Sequence, residues 1–246
     1  MKTAGEHMIS VEKVSFCYPD GTRALDEVSF SVMKAESVGI VGANGAGKST
    51  LVGHLNGWFL PQTGTVAIGG TASLKKNREK LRRMVGLVFQ NPDDQLFMTR
   101  LYDDILFGPE NLGMNKPESR EEAERLLREF GLWELRDKPP SKLSQGQKRF
   151  AAFASVLVMQ PQVLVMDEPT SDLDPRNRKK LISLVNSLAS TRVTVSHDLD
   201  FIWDTCSRVL VMHKGRIAAN GPARELLADS NLLDASGLEL PLRLQR

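Results

Sequence analysis

Ser37–Thr50 reads Ser-Val-Gly-Ile-Val-Gly-Ala-Asn-Gly-Ala-Gly-Lys-Ser-Thr. Its opening run, Ser37–Val41, is short and apolar in the manner of a buried strand, and glycines follow at once. From Gly42 to Ser49 the spacing is G-x-x-x-x-G-K-[ST], and Gly47–Leu55 reads as the start of a helix. Glycines in such a loop let the backbone curl until several N–H groups converge on phosphate oxygens, and the helix N-terminus adds its partial positive charge. Lys48 supplies a mobile cation for the β- and γ-phosphates, and the Ser49 hydroxyl is a ligand for Mg²⁺. Strand, loop and helix in this order predict a nucleoside triphosphate held by Gly42, Ala43, Asn44, Gly45, Ala46, Gly47, Lys48, Ser49 and Thr50.

A second carboxylate-bearing strand lies far downstream, Val163-Leu164-Val165-Met166-Asp167-Glu168. An apolar strand ending in two acids must bring them to a sheet edge or leave them desolvated. If it lies beside the strand Ser37–Val41, its end opens on the same crevice, Asp167 joins the Mg²⁺ shell and Glu168 polarises the attacking water as general base. On its own the pattern is compatible with mere packing; beside a phosphate loop it points to catalysis.

Around these two segments the pattern alternates. Val11–Phe16 and Val28–Val32 alternate in the β manner about the turn residues Tyr18-Pro19-Asp20-Gly21, and Val66–Ile68, Val85–Phe89, Arg192–Val195, Arg208–His213 and Arg216–Ala219 are further strand candidates. Asn91 to about Leu157 is dominated instead by helical periodicity, with Ala123, Leu126, Leu127 and Phe130 on one face of Ser119–Phe130. The expected class is α/β, a sheet carrying a helical insert. Gly221–Arg246 reads as one helix and a loose tail.

The chain has 246 residues, a formal charge of +2, 41% apolar and 25% charged residues. That is enough apolar mass for a real core and no concentrated basic face for nucleic acid. Cys17 and Cys206 are read as reduced thiols, and no metal-ligand spacing involves them or His7, His54 and His213. The polar Met1–Ser10 gives no expectation of a secretory signal, and Phe150–Met166, broken by Gln160-Pro161-Gln162, is too short to cross a bilayer. Trp58, Trp133 and Trp203 are expected to be core or subdomain anchors and Arg82-Arg83 a solvated helix face, and the basic run Lys75–Arg83, without interleaved aromatics, does not suggest a nucleic-acid groove.

The order of motifs resembles one family. Gln90 follows a strand; Leu143-Ser144-Gln145-Gly146-Gln147 precedes the Asp-Glu strand; Ser171-Asp172-Leu173-Asp174 and Ser196-His197-Asp198 follow it. Together with the phosphate loop these resemble the ATPase subunit of an ATP-binding cassette transporter from Ile9 to about Gly221. The resemblance implies a P-loop NTPase (RecA-like) core with an N-terminal antiparallel β region and an inserted α-helical subdomain. A single ATPase domain is expected over 9–240, with 9–89 and 158–221 as nucleotide-binding core, 90–157 as helical subdomain and 222–246 as C-terminal helix and tail. It further implies that Tyr18 stacks on adenine, that Gln90 senses Mg²⁺ and the attacking water, and that His197 hydrogen-bonds the γ-phosphate. Ser144, Gln145, Gly146 and Gln147 match the signature motif, which grips the γ-phosphate held by the opposite subunit, and Asp174 matches the aspartate of the loop linking two sites. Gln145 stands where the commonest signature has glycine, so access to positive φ is given up there.

A finer resemblance lies in Val88–Phe97 and Asp104–Pro109, which look like the energy-coupling-factor branch, whose ATPases power uptake of vitamins and of cobalt or nickel. It implies ATP and Mg²⁺ as cofactors and a head-to-tail pair of ATPase chains, identical or paralogous. The pair would dock on the cytoplasmic face of the membrane beneath a transmembrane coupling protein that accompanies a substrate-binding membrane subunit. Cobalt or nickel is the first choice of solute and a vitamin such as biotin the alternative. A cassette protein acting on nucleic acid or ribosomes is the competing class, disfavoured by the lack of a second cassette or long coiled-coil insert. A purely regulatory nucleotide module is disfavoured because Glu168 and His197 are both present.

Overall fold

A computed structural model of the chain describes residues 7–245. The expectation about a secretory signal falls largely on Met1–Glu6, outside the described residues, as does Arg246. The chain opens with β1 (His7–Cys17), β2 (Arg23–Met33), β3 (Ser37–Val41), α1 (Lys48–Leu55), β4 (Thr63–Ile68) and β5 (Thr71–Ala72). Next come α2 (Arg78–Met84), β6 (Val85–Val88), α3 (Leu101–Asn111), α4 (Lys116–Glu129), α5 (Gln145–Leu157) and β7 (Val163–Asp167). The remainder is α6 (Pro175–Ser187), β8 (Thr191–Val195), α7 (Leu199–Thr205), β9 (Arg208–His213), β10 (Arg216–Pro222), α8 (Ala223–Leu226) and α9 (Ser230–Ala235).

Two sheets form. One is antiparallel and four-stranded, in the order β2-β1-β4-β5. The other is six-stranded, β10-β9-β3-β8-β7-β6, and parallel except for β10. The acidic strand β7 therefore does not lie beside β3, the condition on which their ends were to share a crevice; β8 separates them. Val193, Thr194 and Val195 of β8 are fully buried, and such a strand, covered on both faces, belongs in the middle of a parallel sheet. The consequence for the site is small, because β3, β8 and β7 run parallel and their carboxyl ends leave the sheet at one edge.

Apolar faces of the two sheets and α1 close over one cluster, in which Ile9, Val11, Leu25 and Val66 meet Ile40, Leu51, Leu55, Val165 and Val193. The insert between β6 and β7 builds a second, with Leu101, Ile105, Leu126, Leu127 and Phe153 against Leu164 and Met166. On α4 the buried stripe is Ala123, Leu126 and Leu127, while Arg125 and Arg128 pair with Glu122, Glu129 and Glu124 on the outer face. Phe130 is the residue capping this helix and is half-buried.

The C-terminal stretch departs from its reading. It holds two short helices, α8 and α9, and a final 3₁₀ turn at Leu242–Leu244. Leu227 and Leu233 are fully buried against Ile202 and Val209, and Arg243 pairs with Asp200 and Asp204 of α7, so the tail packs rather than hanging loose. Trp58 also departs from the core role expected of it, being 61% exposed at the end of α1. Trp133 lies between the Arg128 and Arg136 guanidinium groups, 4.5 and 4.4 Å from its ring centre. Among the described residues no helix is long and apolar enough to cross a membrane.

Candidate functional site

The loop from β3 to α1 is shaped by its glycines. Gly47 caps α1 with φ 102°, and a Cβ there would stand 2.3 Å from the Ala24 carbonyl oxygen, so no other residue fits without displacing β2. Lys48, buried at the first turn of α1, turns its Nζ back to the carbonyls of Gly42 at 2.7 Å and Ala43 at 3.1 Å, with His197 Nε2 at 3.4 Å. Burial lowers the ammonium pKa, and the charges of Glu168 and Asp167 work against that shift.

From the carboxyl end of β7, at the same sheet edge, come the acids. Asp167 closes β7; burial, with Glu168 beside it, pushes its carboxyl up to about 6, Lys48 opposing. Glu168 leaves the strand with φ 45°, left-handed for a residue with a Cβ, and its amide still reaches Val195 O at 2.8 Å. That turn carries its side chain to the end of β8. There Oε2 accepts from the Ser196 hydroxyl and the His197 amide, both at 3.1 Å, and Oε1 lies 3.4 Å from His197 Nε2.

A cavity of about 300 Å³ joins these groups: it is lined by Tyr18, Asn44, Gly45, Gly47, Lys48, Ser49, Thr50, Gln90, Asp167, Glu168 and His197. Tyr18 is fixed at its rim by a hydrogen bond between its hydroxyl and Thr50 Oγ1 at 2.9 Å, with its ring edge-on to Phe16 and Phe59. Thr22, Arg23 and Ala24 also line the cavity, and nothing in the turn sequence marked them. The donors available to an ion are few. Among the described residues no cluster of three His, Cys, Asp or Glu side chains is placed to hold a metal, but the exposed Ser49 hydroxyl and the Asp167 carboxylate face one cavity. This fits Mg²⁺, which takes one or two protein ligands and fills its shell with phosphate oxygens and water.

Ser144, Gln145, Gly146, Gln147 and Asp174 are not part of that cavity. Ser144, Gly146 and Gln147 border a separate groove of about 860 Å³, together with Phe150, Arg176 and Asn177. Ser144 caps α5 in a reciprocal arrangement: its amide donates to Gln147 Oε1 at 2.9 Å and its hydroxyl accepts from the Gln147 amide at 3.3 Å. Gln145 is the first residue of α5, an exposed position with ordinary helical backbone, so its conformation here does not call for glycine's access to positive φ. Gly146 is the position that needs to be small: a Cβ there would stand 2.6 Å from Asn177 Nδ2. Asp174 caps α6, accepting from the Asn177 amide and side chain at 2.8 Å each, and the amide bond lowers its carboxyl pKa.

Two further residues belong to the site although sequence reasoning passed over them. Arg149, 2% exposed, donates to the carbonyls of Phe89, Gln90 and Ser171 at 2.9, 2.7 and 3.2 Å and so ties the Gln90 loop to the loop after β7. A charged residue beside Phe150 and Ala151 on the apolar face of α5 was the available signal. Ser196, fully buried, was marked only as the neighbour of His197 in Ser196-His197-Asp198, with no role of its own.

A profile of the family described as ABC transporter matches residues 25–171. The chain is 43% identical to the energy-coupling factor transporter ATP-binding protein EcfA of Carboxydothermus hydrogenoformans, over 95% of this chain and 87% of that one. It is 41% identical to the cobalt import ATP-binding protein CbiO of Rhodobacter capsulatus, over 96% and 86%. The solved structure of CbiO1 from Clostridium perfringens, described as part of the ABC transporter complex CbiONQ, superposes with a TM-score of 0.82 at 36% identity, covering 94% of each chain.

Proposed function

The chain belongs to the ATP-binding ATPases of ABC transporters, similar to the energy-coupling-factor type, and from that premise we propose that it energises the import of cobalt or nickel ions. The observation that carries the mechanism is the separation of the two half-sites. Lys48, Asp167, Glu168 and His197 share one cavity, while the α5 N-terminus, with Ser144, Gly146 and Gln147, borders another groove. Two copies arranged head to tail about a two-fold axis bring each groove to the other copy's cavity and complete both sites.

In this reading Lys48 and the loop amides hold the triphosphate and Tyr18 takes the base. Ser49, Asp167 and Gln90 hold a Mg²⁺ ion, which when bound neutralises charge on the phosphates. Glu168 Oε1 accepts the proton of the attacking water, His197 reaches the γ-phosphate, and the partner's α5 N-terminus adds N–H donors where charge develops. Loss of the γ-phosphate removes the bonds that hold the copies closed, and the reopening moves a docked membrane subunit. The dock proposed for that subunit is the surface after Gln90, where Phe97 and Phe107 are 61% and 40% exposed and stack edge to face at 4.9 Å. Attachment is then peripheral, on the cytoplasmic face. Cobalt or nickel rests on similarity to the cobalt import protein.

Glu168→Gln tests both levels. The variant is expected to bind ATP, to lose turnover by about 100-fold or more and to elute as an ATP-dependent dimer. Cells relying on it are expected to lose uptake of Co²⁺ or Ni²⁺. Parental turnover overturns the assignment of the base; loss of vitamin uptake with metal uptake intact overturns the solute.

A further inference from the structure

Glu168 is clamped by a serine that no recognised motif role explains. Of its two carboxylate oxygens, Oε2 accepts from both the Ser196 hydroxyl and the His197 amide at 3.1 Å. Oε1 has no hydrogen-bond partner but is covered from solvent in this conformation, with His197 Nε2 3.4 Å away. Ser196 is itself fully enclosed, and its Oγ accepts from the Asp198 amide at 3.0 Å. A hydroxyl has a single proton, so with one lone pair taken by that amide its donor is directed to Glu168. The backbone of Glu168 stands at φ 45°, a conformation that holds only while the surroundings enforce it.

We infer that Ser196 is a positioning residue that fixes which oxygen of Glu168 serves as base: Oε2 is held by two donors and Oε1 is left to take the proton of water. The inference rests on the reading of Glu168 as base given above. The terminal torsion of a glutamate is broad and roughly two-fold, so a single amide donor at Oε2 leaves the carboxylate plane free to swing. A second donor, from the hydroxyl of the preceding residue, sets that plane. A base must sit within hydrogen-bond reach of the proton it takes, and a displacement of about 1 Å costs on the order of 100-fold in rate. Ser196 lines neither the nucleotide cavity nor the signature groove, so it acts through the groups it bonds, Glu168 and the Asp198 amide, rather than by touching nucleotide.

The test uses the full chain with ATP and magnesium. Ser196→Ala deletes one oxygen and keeps the His197 amide. It is expected to lower kcat by about 10- to 100-fold while KM and nucleotide affinity stay close to parental, with a modest fall in Tm from the two buried hydrogen bonds lost. Ser196→Thr, which restores a hydroxyl, is expected to recover most of the loss. An alanine variant with parental kcat overturns the inference, and so does one whose nucleotide affinity falls in step with kcat, or a folded threonine variant as slow as alanine. Glu168→Gln is assayed alongside: if that variant keeps parental turnover, the reading of the base has failed, whatever Ser196→Ala does.

Discussion

Asp167 makes the stability of the nucleotide-free chain depend on pH. Its carboxyl is pushed up to about 6 in the folded chain, from an ordinary 3.8, because burial and the neighbouring Glu168 oppose its charge. The folded state therefore holds this proton more tightly than the unfolded chain does, and stability falls as pH rises from about 4 to about 6. Above that window the full cost is present: about two pKa units, or ~3 kcal/mol. The attraction of Lys48 is already contained in that value. Asp167→Asn keeps the shape and removes the charge. Nucleotide-free protein in chelator is expected to gain up to ~3 kcal/mol at pH 8, which for a chain of this size is roughly 6–12 °C in Tm. At pH 5, where the folded carboxyl is mostly neutral, the gain is expected to be about half as large. Thermal denaturation at the two pH values measures both numbers. A variant no more stable than its parent at pH 8, or one with the same gain at both, refutes the burial argument.

The remaining predictions concern residues outside the phosphate cavity. Gln145→Gly is expected to change stability by no more than ~1 kcal/mol and ATPase rate by less than about twofold, since the position is ordinary helix; a large rise in rate would show that glycine's freedom matters there. Arg149→Met strips the donors from three loop carbonyls and is expected to cost at least ~3 kcal/mol. A denaturant midpoint unchanged from the parent would show that those carbonyls find other partners.

Legibility divided along physical lines. Gly42–Ser49 was readable because a phosphate loop is local: glycines at fixed offsets, a strand before and a helix after. The helix-capping pair Ser144 and Gln147 was local in the same sense, although its meaning came from resemblance and its geometry from the structure. Apolar periodicity marked the buried face of α4 for the same reason.

What the sequence by itself determined, then, was most of the strands, the buried face of α4 and that a triphosphate site is present, since backbone propensity and side-chain spacing act over a few residues. Tertiary structure alone decided that β8 stands between β3 and β7, that Glu168 meets Ser196 and His197 of another strand end, and that the signature residues lie away from Lys48. It also decided that Arg149 spans two loops, that Trp58 faces solvent and that the tail docks on α7. A hydrophobic pattern states that a face is buried and is silent on its neighbour, and these neighbours are chosen by packing among residues remote in the chain.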